Sequence, residues 1–228
     1  MVNFTVLTVT PTPIGNLEDI TLRSISAFLE ADYIAAEDTR HTSILLRHLG
    51  VSKPLISFHR HNETSRTAEL ITHVKRGCRV TLSCNAGTPA ISDPGYQLIC
   101  TCIREGLPFT VLPGPSAILT ALVGSGLPCH KFYFSGFLPV KPGKRAAELR
   151  QAAICPWTSV FFESPYRLVK SLAILAETHP YTAVCVAREI SKKFEEYRRG
   201  TASEVLAHFT VNPPRGEIVL LIYGALPE

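Results

Sequence analysis

No stretch of this 228-residue chain reaches the ~20 consecutive apolar residues that a membrane-spanning helix requires. Its first residues also lack a basic segment ahead of an apolar one and a small-residue cleavage site, so a soluble, unexported, cytoplasmic protein is expected. The seven cysteines (Cys78, Cys84, Cys100, Cys102, Cys129, Cys155 and Cys185) are odd in number and include no CxxC pair or zinc-finger spacing. They read as small buried hydrophobes in a reducing compartment rather than as a disulfide framework. Nucleotide signatures are missing too. No GxGxxG follows the first apolar strand and no GxxxxGKS/T occurs, which argues against dinucleotide and P-loop binding. The absence of GxSxG argues against a serine-hydrolase elbow. His59 and His61 form an HxH without a nearby third ligand, and we read them as surface or RNA-facing side chains; no metal is expected.

What is present describes a globular α/β protein. Hydrophobic residues make up 46% of the chain and charged residues 18%, enough apolar material for a core and far from a disordered composition. The formal charge of +4 permits an RNA partner without requiring one. "NFTVLTV" is β-rich and leads into "EDITLRSISAFLEA", where Ile25, Phe28 and Leu29 recur at helical spacing behind Glu18 and Asp19. The alternation repeats through "YIAAEDT", "PLISF" and "RVTLSC", each followed by a helical pattern, and implies a mainly parallel sheet covered on both faces. A second series, "KFYFSGF", a helix near Lys144 to Ala153, "TSVFFE", a helix from Pro165 to Glu177, "YTAVCVARE", "FEEYRRG" and "GEIVLLIYG", is richer in strands and predicts a mixed sheet. Pro113 to Ser116 interrupts both periods, so two α/β domains are expected, over 1–114 and 115–228.

In such sheets ligands gather at the carboxyl ends of the strands. The loops there are "TPTPIGNLEDITLR", "AAEDTRHT", "CNAGTPAISDPGY", "LPGPSA" and "FFESPYRL". In the third, Gly87 and Gly95 allow close backbone approach while Pro89 and Pro94 stiffen the path, as a ligand cradle would need. Asp93, Ser116 and Ser164 each have the look of a helix N-cap, Asp93 and Ser164 with proline following. That is also what ordinary helix starts look like.

Taken together, "PTPIGNLEDITLR", "IAAEDTRHT", "AGTPAISDPGY", "LPGPSA", "SGLP", "FFESPYRL", "KFEEYRRG" and "RGEIVLLIYG" resemble, in order and over nearly the whole chain, the tetrapyrrole methylase superfamily of class III S-adenosylmethionine-dependent methyltransferases. Within it they are most similar to the bacterial small-subunit (16S) rRNA (cytidine-2′-O)-methyltransferases. The resemblance implies two α/β domains with a ligand cleft between them, S-adenosylmethionine as methyl donor, small-subunit rRNA as partner, and a homodimer. It implies donor contacts from Pro13, Ile14 and Gly15, from Asn85, Ala86 and Gly87, and from Ser116 and Ala117, with Phe162 and the backbone near Arg188 approaching the adenosine. The family usually carries Ser-Asp where this chain has Cys84-Asn85, which removes a negative charge beside a cationic donor and leaves Asp93 as a possible replacement. Many members also run on past the last strand, so RNA contacts made by such an extension are expected to be absent here or supplied elsewhere.

A ribose 2′-OH is a poor nucleophile near neutral pH, and a nearby base would help by taking its proton. Among Glu37, Asp38 and Glu163 at strand ends, Asp38 and Glu163 rank first; for Glu37 and Asp38 the competing role is an acid pair at a helix N-terminus. Arg40 and Arg60, next to the ligand loops, and Lys141, Lys144 and Arg145, in a clamp-like loop, are the candidate phosphate contacts, and Tyr96 and Tyr166 either stack on bases or pack. Two other functions share these features: a methyltransferase of the same fold acting on a tetrapyrrole or other small acceptor, and a non-catalytic rRNA- or assembly-binding protein in which Cys84-Asn85 has cost the donor site.

Overall fold

A computed structural model describes residues 6–224. They divide after Ser116 into two compact units.

Unit 1 alternates β1 (Leu7–Val9), α1 (Leu22–Glu30), β2 (Tyr33–Ala36), α2 (Thr39–His48), β3 (Leu55–Ser57), α3 (Glu63–Lys75), β4 (Val80–Ser83), α4 (Tyr96–Arg104) and β5 (Phe109–Val111). The strands form a wholly parallel sheet in the order β3-β2-β4-β1-β5. Alternation along the strands sends Leu7, Val9, Val80 and Leu82 to one face, where they meet Leu70, Ile71 and Val74 of α3 and Leu98 and Cys102 of α4. On the other face Thr81 donates to the Ala27 carbonyl of α1 (3.1 Å), and Ile34 packs with Phe28, Leu45 and Leu46. Both faces are therefore covered, as the near-continuous burial of β4 requires.

Two expectations change here. The buried face of α1 is Ser24, Ala27 and Phe28, and Leu29 is half exposed, because Ser24 turns inward to donate to the Pro11 carbonyl at 3.2 Å and rotates the helix accordingly. Asp93 does not cap α4. Gly95 holds that position at φ +135, and the acceptor comes from α3: Glu63 Oε1 takes the N–H groups of Gly95 (2.9 Å) and Gln97 (3.2 Å). Ser164, in contrast, caps its helix by accepting from Tyr166 N, with Pro165 in the first turn.

Unit 2 opens with α5 (Ala117–Ser125) and continues through β6 (Phe132–Phe137), α6 (Pro142–Ala153), β7 (Thr158–Glu163), α7 (Pro165–Thr178), β8 (Ala183–Arg188), β9 (Glu196–Thr201), α8 (Ala202–Val211) and β10 (Ile218–Tyr223). Its sheet is mixed, in the order β6-β7-β10-β8-β9, with β6 and β7 parallel and the other pairs antiparallel. Phe161, Val184, Val186, Leu220 and Ile222 point into a core closed by Leu149 of α6, Leu168, Leu172 and Leu175 of α7, and Val205 and Phe209 of α8. The opposite face is met by α5. The clamp expected at Lys141 to Arg145 is instead the entry and first turn of α6. Lys141 and Lys144 are exposed, but Arg145 is buried and donates to the Pro139 and Val140 carbonyls (3.4 and 3.2 Å), so it fixes the chain rather than meeting a phosphate.

Candidate functional site

Because all five strands of unit 1 run the same way, the loops after them emerge along one edge. Hydrogen bonds then knit them together. The β1 loop and the β4 loop form an antiparallel bridge, with Thr12 N donating to the Gly87 carbonyl (2.9 Å) and Gly87 N to the Thr12 carbonyl (3.0 Å). Thr12 Oγ1 adds a bond to the Cys84 carbonyl (3.1 Å). Gly87 takes φ +76, where an L side chain is strained, and a Cβ there would lie 3.6 Å from Ile14 Cγ2 and 3.8 Å from the Pro115 carbonyl. The PIG, NAG and PGPS segments thus meet at one point. Ile14 is buried there, Pro13, Asn85, Ala86 and Ser116 are half-buried, and Gly15 is exposed.

The rest of the β4 loop is held in an unusual path. Ala90 and Ser92 have positive φ (70° and 63°), Ala90 N bonds the Pro94 carbonyl (3.2 Å), and Arg60 from the β3 loop donates to the Ser92 carbonyl. Asn85 N donates to Glu37 Oε2 (3.4 Å), which ties in the β2 loop. Asn85 Oδ1 is buried with no hydrogen-bond partner among the described residues. An orphaned acceptor of this kind fits a donor group arriving with a ligand.

The electrostatics centre on Asp93. Burial and the negative charge of Glu37 push its carboxyl up to about 6, against the opposing pull of the Cys84 contact and of Arg60. The Cys84 thiol is itself driven far up by burial and by the Asp93 and Glu37 charges, so it stays protonated and is not a nucleophile. Sequence reasoning noticed Asp93 only as a cap and as a stand-in for the charge missing at Asn85. Its environment depends on two other loops, through Glu37 and Arg60, which no local pattern encodes.

The two expected catalytic acids lie elsewhere in function. Asp38 caps α2, accepting from Arg40 N (2.9 Å) and His41 N (3.4 Å), and it pairs with the Arg40 guanidinium at 3.2 Å. The Arg40 side-chain bond holds the Asp38 carboxyl below its ordinary range. The stabilisation is therefore present at neutral pH and lost as pH falls through that lowered pKa. Asp38→Ala should lower the melting temperature by about 2–4 °C at pH 7, with a smaller loss in strong acid, and leave methyl transfer intact; thermal scans at the two pH values check this. Glu163 is wholly inaccessible, paired with Arg167 at 2.7 Å and accepting from Ser171 Oγ (2.6 Å) and Ser164 N (2.7 Å). Its oxygens serve the junction of β7 and α7 and cannot reach a substrate.

In unit 2, Glu163 and Arg188 flank Ile218 in the sheet register, so the ends of β7 and β8 lie on one edge. Phe162 packs against Phe134 and Phe137 (ring centroids 5.1 and 5.3 Å), and Arg188 is held by Glu196 at 2.7 Å. Ala117 begins α5. Among the candidate RNA contacts, Arg40, Arg60, Lys141 and Lys144 are exposed, as are Tyr96 and Tyr166. His59 and His61 stack edge to face at 5.9 Å, and no cluster of three or more His, Cys, Asp or Glu able to hold a metal occurs among the described residues. No helix among them is long and apolar enough to cross a membrane.

Comparisons with known proteins bear on this arrangement. A family model described as tetrapyrrole (corrin/porphyrin) methylases matches residues 6–206. A protein from Thermotoga maritima named ribosomal RNA small subunit methyltransferase I is 43% identical over 218 residues, spanning 96% of this chain and 98% of that protein. A protein of the same name from Synechocystis sp. is 41% identical over 224 residues, spanning 98% of this chain and 80% of that protein. Among solved structures, a diphthine synthase superposes with a TM-score of 0.75 at 16% identity over 97% of this chain and 91% of that one. A uroporphyrin-III-C-methyltransferase from Thermus thermophilus gives 0.64 at 21% identity, over 96% and 94%. These last two likenesses are of fold.

Proposed function

Because this chain belongs to the tetrapyrrole (corrin/porphyrin) methylase family, we propose that it is an S-adenosylmethionine-dependent methyltransferase of small-subunit rRNA that methylates the 2′-oxygen of a cytidine ribose in the decoding region. Near-full-length kinship to proteins named for small-subunit rRNA methylation supports the acceptor. The observation that carries the donor is the Thr12–Gly87 bridge, which locks the two glycine loops together beside the unpartnered Asn85 Oδ1.

The donor supplies a methyl group already activated by a sulfonium charge, so the protein's work is to bind, orient and exclude water. Pro13 to Gly15, Asn85 to Gly87, Ser116 and Ala117 form its cradle in this reading, with Phe162 and Arg188 assigned to the adenosine. Asn85 Oδ1 accepts from the donor's ammonium group, and Glu37, which holds the Asn85 N–H, supplies the negative charge that an aspartate at position 85 would otherwise bring. Arg40, Arg60, Lys141 and Lys144 meet phosphates. A homodimer belongs to the same reading, and the exposed Phe132, Tyr133 and Phe137 on the edge strand β6 offer apolar area for it; light scattering checks it.

The test is calorimetric titration with S-adenosylmethionine, followed by incubation with small-subunit rRNA and subunits. One saturable site and a single new alkali-resistant linkage at a cytidine are expected, since a blocked 2′-oxygen cannot attack its phosphodiester. Methyl groups found on a base, or only on a small-molecule acceptor, overturn the reading. Asn85→Asp should tighten donor binding by less than about tenfold, because Glu37 already stands beside it.

A further inference from the structure

Methyl transfer to a ribose hydroxyl needs a proton acceptor, and the two acids that the sequence favours are engaged elsewhere: Asp38 caps a helix and Glu163 is sealed under Arg167 and Ser171. Around the donor loops Glu18 and Asp19 lie open to solvent in the short turn Leu17–Asp19, which leaves Glu37 and Asp93 as the partly buried carboxylates. Glu37 holds the Asn85 N–H. Asp93 is half-buried on the β4 loop near the Cys84 thiol, whose proton is directed to the Ala86 and Gly87 carbonyls (3.3 and 3.4 Å), so most of the carboxylate's accepting capacity is unused. Its position is fixed from both sides, by the left-handed Ser92 whose carbonyl Arg60 grips and by Gly95, whose N–H is held by Glu63. In the same loop the buried, unpartnered Asn85 Oδ1 marks where a ligand group belongs.

We propose that Asp93 is the general base of the reaction, with Glu37, Arg60 and the β4 loop acting as positioning groups that hold its carboxylate beside the acceptor ribose. This assignment rests on the rRNA methyltransferase reading above. The acceptor O–H bond breaks as the O–CH3 bond forms, the proton passes to an Asp93 carboxyl oxygen, and the electron pair of the broken S–CH3 bond stays on sulfur. The charged groups around Asp93 are Glu37 after β2, Arg60 after β3, Cys84 after β4 and Glu63 at the start of α3. Burial and Glu37 dominate, and they poise the carboxyl at about 6, where a base is both largely ionised at neutral pH and strong enough to accept a proton.

Asp93→Asn and Glu37→Gln test this in single-turnover methylation of small-subunit rRNA at saturating donor, with donor affinity measured separately. In the native chain kcat/KM for the donor, taken from a parallel series at limiting donor, should fall with unit slope below about pH 6 and level above it. Asp93→Asn should cut the chemical rate by about 10²–10⁴-fold, abolish that inflection and leave the donor Kd within a few-fold. Glu37→Gln removes a repelling charge, so it should move the inflection to lower pH with a smaller loss of rate. Folding has its own readout. An acid whose folded pKa lies above its ordinary 3.8 stabilises fully below that value and loses the contribution as pH rises through the folded pKa. Asp93→Asn should therefore melt higher than the native chain at pH 7 and alike below pH 3.8. A weakened donor Kd with an unchanged chemical rate overturns the proposal by making Asp93 a donor-binding group, and so does an unaltered pH profile. A native chain that binds the donor yet leaves rRNA unmethylated overturns the functional reading itself, whatever the variants do.

Discussion

Glu163→Ala is expected to lower the unfolding free energy by about 3 kcal/mol, at the lower end of the range for breaking a buried ion pair. The carboxylate is completely enclosed and satisfies Arg167, Ser171 and Ser164 together. Removing it leaves a guanidinium whose side chain is only 20% exposed, with the Leu138 carbonyl at 3.3 Å as a remaining partner. That residual access to water is why the upper end of the range is not reached. Glu163→Gln keeps one oxygen for Ser164 N and Arg167, and its amide NH2 can donate to Ser171 Oγ, which then accepts; the charge is lost and that bond reverses, so about 1–2 kcal/mol is expected. Urea denaturation followed by far-UV dichroism measures both. If either variant instead unfolds like the native chain but transfers methyl groups 100-fold more slowly, Glu163 regains its place as a base.

The second large effect is on the donor. Gly87 sits at φ +76 in the bridge to Thr12, and the space around it takes one methyl group at ordinary contact distance but no more. Gly87→Ala bears only the left-handed strain, roughly 1–2 kcal/mol, and should weaken S-adenosylmethionine by up to about tenfold. Gly87→Val adds γ-methyls that must displace Ile14 or the Pro115 carbonyl, and so separates the loops that form the cradle. A loss of at least about 100-fold in affinity is expected, equivalent to roughly 3 kcal/mol. Calorimetry decides: affinity within twofold of native for Gly87→Val would mean that the donor does not use this junction.

Local pattern made much of this fold readable. "TSVFFE" is β7 over its full length, Thr158–Glu163, because the run is β-branched and aromatic and ends at a Ser-Pro cap. β5, Phe109–Val111, carries no separate signal in the pattern because its three residues run directly into the Pro113–Ser116 interruption. Helical spacing turns Leu29 inward because it cannot show that Ser24 meets the Pro11 carbonyl in the loop after β1. The same limit governs the site. The glycine and proline positions announce a cradle, but which acid is free to act depends on long-range partners: Arg167 and Ser171 for Glu163, Arg40 for Asp38, Glu37 and Arg60 for Asp93. Pattern alone puts Asp38 and Glu163 at strand ends and Asp93 on a loop, and contacts across loops decide what each can do there.

The placement of β10 carries a consequence for how the chain matures during synthesis. All five strands of unit 1 have been made once Val111 is added, so its parallel sheet can close while the remainder is still being translated. In unit 2 the central position is taken by the strand made last. Until Ile218–Tyr223 emerge, the pair β6–β7 and the pair β8–β9 have nothing between them, and Phe161, Val184 and Val186 lack the Leu220 and Ile222 that complete their core. A ribosome stalled before residue 218 should therefore carry a protease-resistant first half and a digestible second half, and release of Ile218–Tyr223 converts an open parallel pair and an open hairpin into one sheet.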